Sequence, residues 1–530
     1  MRARYHGEIA TAEFINSLPS SSRAQLRPDA PPSVGFMFGD LTADPANRLP
    51  EHPRTIQALA ALGQAIADDP GSAESSIPAA YTYFGQFIDH DITNTQFDAS
   101  VPGDILKQTD FLPIPAAELG GKIRNARTPE VDLESVYEGE ALGAINPDGS
   151  MRLGVVSPAP FGTIVTADKN HDLPRLDKST NDDLDRKAVI GDPRNDENLL
   201  VAQLHVAFLR SHNALMERDG LSGADAQVAL RRRYQWAVLH DFLLRVCDKA
   251  VAAAVVRDGA TAWPVVDRAH LFMPVEFAGA AYRFGHSMIR GGYSHNVTFP
   301  AEPFLRFFTF TALSGDLAPG ATPTPPPPLE DQPESLPDNW IIDWPRFFSP
   351  PGDPKVPGQN PARRLDTRLT PPLGELPDTH GRPIRDVMGK LASRNLLRGY
   401  LLGLPTGQAV AHRLGVEPLA VQILEGALPA SAVDQVRAAG LLERTPLWFY
   451  ILAEAGDPSG PDGQHLGTVG SRIVAETLWN MVKFAKDSVV DTPPSDAELA
   501  TGEFSLKGIV KIGQDIGMNP LALDLPGPGA

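Results

Sequence analysis

The chain has 530 residues, a formal charge of −18 at pH 7 and a single cysteine, Cys247. That length suffices for one large core or a few smaller ones, and the acidic balance argues against a nucleic-acid backbone or an anionic membrane as main partner, since both require clustered Lys and Arg. One cysteine excludes an intrachain disulfide and thiolate clusters, and neither a signal-like apolar stretch after the N-terminus nor an apolar run of about 18 residues is present, so the default expectation is a cytoplasmic protein, with signal-less export left open.

In chain order, residues 1–50 read as an extended arm, 51–486 as the main body and 487–530 as a tail packed on it. A short helix is expected over 54–68. The next, over about 78–94, carries the most information. Pro78 suits a first helical turn, and Tyr81, Phe84 and Ile88 make a buried stripe. Gln86, Asp89 and His90 project from roughly one face, while Asp91 is turned by about 100° from His90. An unpaired buried polar group costs roughly 1–3 kcal/mol, so Asp89-His90-Asp91 is either a solvated helix end or a working site.

Residues 98–165 read as loops. Within them Thr128, Glu130, Asp132 and Glu134 alternate along the chain. Such a loop can converge on a hard cation such as calcium, or remain a solvated acidic segment. Residues 167–187 read as a charged surface loop. The run Gly191-Asp192-Pro193-Arg194-Asn195-Asp196-Glu197-Asn198 opens a long helix that ends at Gly220. Asn195 or Asp196 can cap it, and Glu197 falls in the first turn, where the helix dipole favours a carboxylate. His205 and His212 read as packing residues of that helix.

A core helix follows over 224–246, with His240 and Asp241 as structural groups. Another is expected from Pro274, with Phe277, Ala281, Phe284 and Met288 as its stripe. Its small residues at 278–281 and Gly285 permit close approach of another helix or of something flat. Arg283 and His286 share one face; by itself a lone core His reads as structural. The 51 prolines cluster at 318–338 and 344–376, as long loops over a helical body. The expected class is mainly α, with little β.

Five stretches, in order, resemble the animal-type haem peroxidases (the peroxidase–cyclooxygenase superfamily). Phe84-Gly85-Gln86-Phe87-Ile88-Asp89-His90-Asp91 is similar to the family's distal W-G-Q-F-[LIV]-D-H-D. Thr128 to Tyr137 resembles its calcium loop, T-x-[FY]-x-D-x-S followed by V-Y. Gly191 to Glu197 matches G-D-x-R-x-x-E, continued by L-H-x-x-F-x-R-x-H-N from Leu204 to Asn213. Tyr282-Arg283-Phe284-Gly285-His286 resembles the proximal [FY]-R-[FY]-G-H. Residues 392–405 resemble L-N-x-x-R-G-R-D-H-G-L-P, with Tyr400-Leu401-Leu402 in place of R-D-H.

The resemblance implies an animal haem peroxidase-like helical fold and a set of roles. His90 would be the general acid–base, Arg194 the distal arginine, and Gln86 the group that orients peroxide or a halide. His286 would be the axial iron ligand, hydrogen-bonded to Asn395, with Arg283 on a haem propionate. Asp89 and Glu197 would form esters to the haem. Calcium would take Asp91, Thr128, the Glu130 carbonyl, Asp132 and residue 134, here Glu rather than Ser. Asn198 stands where some relatives carry a haem-bonding Met, which implies no sulfonium link and favours bromide, iodide or thiocyanate over chloride.

The function expected is a haem peroxidase that uses hydrogen peroxide to oxidise halides, thiocyanate or small phenols. A fatty-acid dioxygenase of the same superfamily is the alternative. There a radical-forming Tyr precedes the proximal His by three residues, a position held here by Arg283, and Tyr282, one residue off, is expected to face elsewhere. A non-catalytic haem or calcium-bound adhesion protein is disfavoured by the intact His90, Arg194 and His286 and by the absence of Arg-Gly-Asp. Hydrolase and phosphate-loop motifs are absent, and the nearest His pair lies seven residues apart.

Overall fold

The computed structural model describes residues 33–67, 73–98, 111–138, 143–159, 168–180, 185–308, 334–374 and 389–514. Most of the expected arm, and the Pro-rich stretch up to residue 333, therefore lie outside the described residues.

The described chain is mainly helical, and its strands pair only in two-stranded ribbons. Helix α1 spans Pro53–Ala67, α2 Ala80–Ile92, α3 Leu199–Asp219, α4 Gly223–Ala237, α5 Leu391–Leu401, α6 Leu447–Gly456, α7 Thr468–Lys483 and α8 Leu506–Gln514. No helix among the described residues is long and apolar enough to cross a membrane.

Pro78 ends a strand, Glu74–Pro78, which pairs antiparallel with Pro361–Arg363. It does not open α2. The residue before a proline is pushed into extended space, so the helix begins two residues later. Helix α2 then packs on α3 and α4 through aromatic rings. Phe87 stacks on Phe208 at 4.6 Å, and Phe84 meets Tyr234 and Phe242 edge-on. Such pairs contribute about 0.5–1.5 kcal/mol each beyond the area they bury. Helix α1 lies against α5 so closely that a Cβ on Gly63 would stand 2.6 Å from the Ser393 backbone.

Two expected helices differ in detail. The long helix opens with a tight turn, Pro193–Asp196, capped by Asp192, and α3 proper starts after Asn198. Asn198 is the N-cap, its side chain accepting from Val201 N–H at 3.0 Å. The prediction of Asn195 or Asp196 as cap fails because Pro193 fixes an earlier, tighter turn. Gly220 ends α3 with φ 65°, where the left-handed conformation suits glycine.

The helix expected from Pro274 breaks. Val275–Gly279 is helical, Ala280 leaves helical space, and Ala281–Met288 continues as 3-10 turns. Four small residues, 278–281, allow the departure, and Phe277 folds back to stack on Tyr282 at 4.4 Å. The tail contains α8, which lies in a groove of α3. A Cβ on Gly513 would stand 2.7 Å from Ser211 N, and Ser211 Oγ donates to the Ile509 carbonyl at 2.7 Å.

Candidate active site

A cavity separates α2 from the 281–289 run. Tyr81, Gln86 and Asp89 come from α2, Glu197 and Asn198 from the start of α3, and Tyr282, Gly285, His286 and Met288 from the opposite wall. Tyr282 shares this wall with His286, which corrects the expectation that it faces elsewhere. Its hydroxyl is buried and has no hydrogen-bond partner among the described residues. A Cβ placed on Gly285 would meet no atom within 4 Å, so that wall is smooth and open.

On the distal side His90 is fully buried and does not itself line the cavity. Its Nε2 lies 3.8 Å from Glu197 Oε1. Its Nδ1 is 2.8 Å from Asn195 Oδ1, while Asn195 Nδ2 donates to His205 Nδ1 at 2.9 Å. The Asn195 amide therefore presents its oxygen to His90, which fixes the proton on Nδ1 and leaves Nε2 bare toward Glu197. Burial, and then the nearby Arg194 charge, push the His90 imidazole down to about 4. Gln86 Nε2 donates to Glu197, and Asn198 Nδ2 donates to Gln86 Oε1 at 3.2 Å. Burial holds the Glu197 carboxyl well above the usual carboxylate range.

Arg194 is gripped by Asp192. Its Nε and Nη2 donate to that carboxylate at 3.0 and 2.7 Å, and Nη2 also reaches the His90 carbonyl at 3.0 Å. Burial would raise Asp192, but Arg194 and Arg127 keep its carboxyl far below the usual range. The structure thus groups Gln86, Asp89, His90, Arg194 and Glu197 at one side of the cavity.

On the proximal side, His286 Nδ1 lies 3.0 Å from Asn395 Nδ2. Burial, and then the Arg283 and Arg398 charges, hold its imidazole well below the usual range. Arg283 Nε donates to the Ala278 carbonyl at 2.8 Å, bracing the break at Ala280. Arg398 is pushed down to about 9 by burial and by the charges of Arg283 and Arg394, with Asp89 as the opposing charge. The Arg283, Arg394 and Arg398 guanidinium groups thus lie close to one another, and those of Arg283 and Arg398 near His286.

The calcium expectation meets a different arrangement. Among the described residues no group of three or more His, Cys, Asp or Glu is placed to hold a metal ion. Asp91 accepts backbone N–H groups from Leu133 and Ser135, both at 3.0 Å. Thr128 donates its N–H and hydroxyl to Glu134, and Asp132 accepts from Glu134 N–H at 3.1 Å. The Glu130 carboxylate takes Arg268 Nε at 2.6 Å. The partners of these oxygens are the loop's own N–H and hydroxyl groups and Arg268, and no step is derived through calcium.

Asn195, Tyr282, Arg398, Asp192 and Arg127 escaped the sequence reading as site residues. The first four stand inside the quoted motifs or beside them, so position alone was a usable signal. Arg127 precedes the acidic loop by one residue and carries no spacing that marks it.

No family model matches the chain, and no curated protein matches it in sequence. Solved structures do resemble it. Against peroxidase A from Dictyostelium discoideum the TM-score is 0.51 at 16% identity, covering 86% of each chain. The fatty acid alpha-dioxygenase of Oryza sativa gives 0.47 at 15%, over 86% of this chain and 75% of that one. The Arabidopsis thaliana enzyme gives 0.46 at 13%, over 84% and 72%. With its mainly helical body, the chain has the animal haem peroxidase-like fold that it shares with the Dictyostelium structure.

Proposed function

We propose that the protein is a haem peroxidase that uses hydrogen peroxide to oxidise halides, thiocyanate or small phenolic donors. One observation carries the reading: a single cavity has His286 on one wall and Gln86, Asp89 and Glu197 on the other, with His90 and Arg194 directly behind them. The residues fit a haem. Gly285 leaves room for a flat group beside His286. When bound, haem would supply a redox-active iron.

The chain's own groups account for the proton handling. His90 is neutral at neutral pH because burial disfavours its charged form. With Nδ1 committed to Asn195, its Nε2 can take a proton from one peroxide oxygen and deliver it to the other. Arg194, fixed by Asp192, offers positive charge where negative charge develops. Gln86 presents an amide at the cavity wall to orient a small ligand. To hold the haem iron, His286 would need a bare Nε2, hence a proton on Nδ1 and the carbonyl end of Asn395 turned to it. Rotating that amide by 180° supplies the acceptor. Asp89 and Glu197 both line the cavity, which supports ester links to the haem.

The test is the absorption spectrum of protein expressed with haem supplementation, before and after acid-acetone extraction and after hydrogen peroxide. A Soret band that shifts with peroxide and resists extraction is expected. A freely extracted haem removes the esters, and no Soret band at all overturns the reading. The orphaned Tyr282 hydroxyl on the cavity wall favours one second reading, a fatty-acid dioxygenase. Oxygen uptake with a long-chain fatty acid, abolished by Tyr282→Phe, would select it.

A further inference from the structure

We propose that Arg127 is a positioning residue for the distal pair, and that the 127–138 loop is the jig that sets how His90 and Arg194 face each other. The inference rests on the distal roles proposed above. Arg127 is buried, with three neighbouring carboxylates around it. Its Nη2 and Nε donate to Asp192 Oδ2 at 2.7 and 3.1 Å, and Nη2 also donates to the Gly191 carbonyl at 3.1 Å. At its other end Nη1 donates to Glu138 at 2.7 Å and to Glu134 at 3.3 Å. One guanidinium therefore sews the acidic loop to the turn that bears Arg194.

Independent contacts place the same two segments against each other. Asp192 N–H donates to the Ser135 carbonyl at 3.1 Å, and a Cβ on Gly191 would stand 2.6 Å from that oxygen. Ser135 N–H in turn donates to Asp91, the residue after His90. The loop thus holds the distal helix through Asp91 and the distal arginine through Arg127 and Asp192. Asp192 shares its carboxylate between two guanidinium groups, so its side-chain angle, and with it that of Arg194, depends on Arg127. The fork geometry matters, because a lysine ammonium cannot span both sets of oxygens.

The first test needs no cofactor. In the haem-free protein, phenylglyoxal modification of Arg194 is followed by peptide mass spectrometry in the wild type and in Arg127→Gln. The variant is expected to react several-fold faster at Arg194; an unchanged rate overturns the proposal. The second test uses haem-loaded protein and cyanide, read as a Soret shift. Arg127→Gln should weaken cyanide about tenfold, with Arg127→Lys in between, a coupling typical of residues in one ion-pair network. In an Arg194→Gln background the same change should cost less than about twofold. Equal losses in both backgrounds, or a lowered melting temperature with wild-type affinity, would mean a purely structural role. Should Arg127→Gln not fold, Glu138→Gln loosens the same guanidinium from its partly exposed end. It should speed Arg194 labelling to a smaller degree, and an unchanged rate there counts equally against the jig. Absence of a Soret band would sink the haem reading, while the labelling result would still decide the jig.

Discussion

The two walls of the cavity are built by different means. The distal wall is an ionic construction, in which Asp192 lies between Arg127 and Arg194, and Asp91 and Asn195 tie His90 to a loop and to α3. The proximal wall is a backbone construction, a run of tight turns after a break at Ala280 with one amide behind its histidine. Charged side chains in a buried network hold angles but depend on every partner being present. Tight turns depend on fewer charged partners, here the Arg283 guanidinium that braces the break. In the proposed function, the proton-handling groups would lie where charge sets geometry, and the iron-holding histidine where the main chain sets it.

The sharpest way to break this comparison is at His90. His90→Ala should slow the reaction with peroxide by about 10²–10⁴ while the Soret band is retained, as stopped-flow absorbance would show. A matching proximal change acts on binding instead. Asn395→Leu should weaken haem retention by roughly 10–100-fold, the usual cost of removing a partner behind a metal-ligating histidine, measured by haem transfer to an acceptor protein.

The pH response should separate the walls as well. His90 sits near 4 because of burial, and an imidazole accepts a proton only above its pKa. The peroxide reaction is therefore expected to be flat near neutrality and to fall as pH drops through about 4, in a stopped-flow profile on protein that keeps its Soret band. The depressed pKa also means that the unfolded chain binds this proton first. His90 therefore contributes stability above the ordinary histidine value, and that contribution is lost as the pH falls from there toward 4.

The smallest expected effects come from two glycines. Gly63→Ala should cost about 1–3 kcal/mol of stability by overpacking α1 against α5. Gly285→Ala should leave thermal stability within about 0.5 kcal/mol, since its Cβ points into open space, yet reduce haem retention. Calorimetry and haem titration would distinguish the two.

Much of this was legible in the residues. The distal helix, the long helix ended by Gly220, and the wordings around Arg194 and His286 are local patterns, and local periodicity survives in sequence. Three features were not legible, for a shared reason. Asn195 meets His90 across 105 residues, and Arg127 meets Asp192 across 65, so neither contact leaves a short-range mark. Tyr282 was misjudged because the chain leaves its helix at Ala280, which re-aims the residues that follow. The cap moved from Asn195 to Asn198 because Pro193 was weighed too little.

The packing of α8 over α3 has a consequence for the order of events during synthesis. Ser211 closes its hydrogen bond to Ile509 across 298 residues, so α3 acquires its outer cover only after nearly all of the described chain has left the ribosome. A nascent chain halted before Leu506 leaves the face around Ala207 and Ser211 to water. Domains fold as units once their parts are available. The groove of α3 around Ala207 and Ser211 is therefore among the last surfaces of the described chain to be covered.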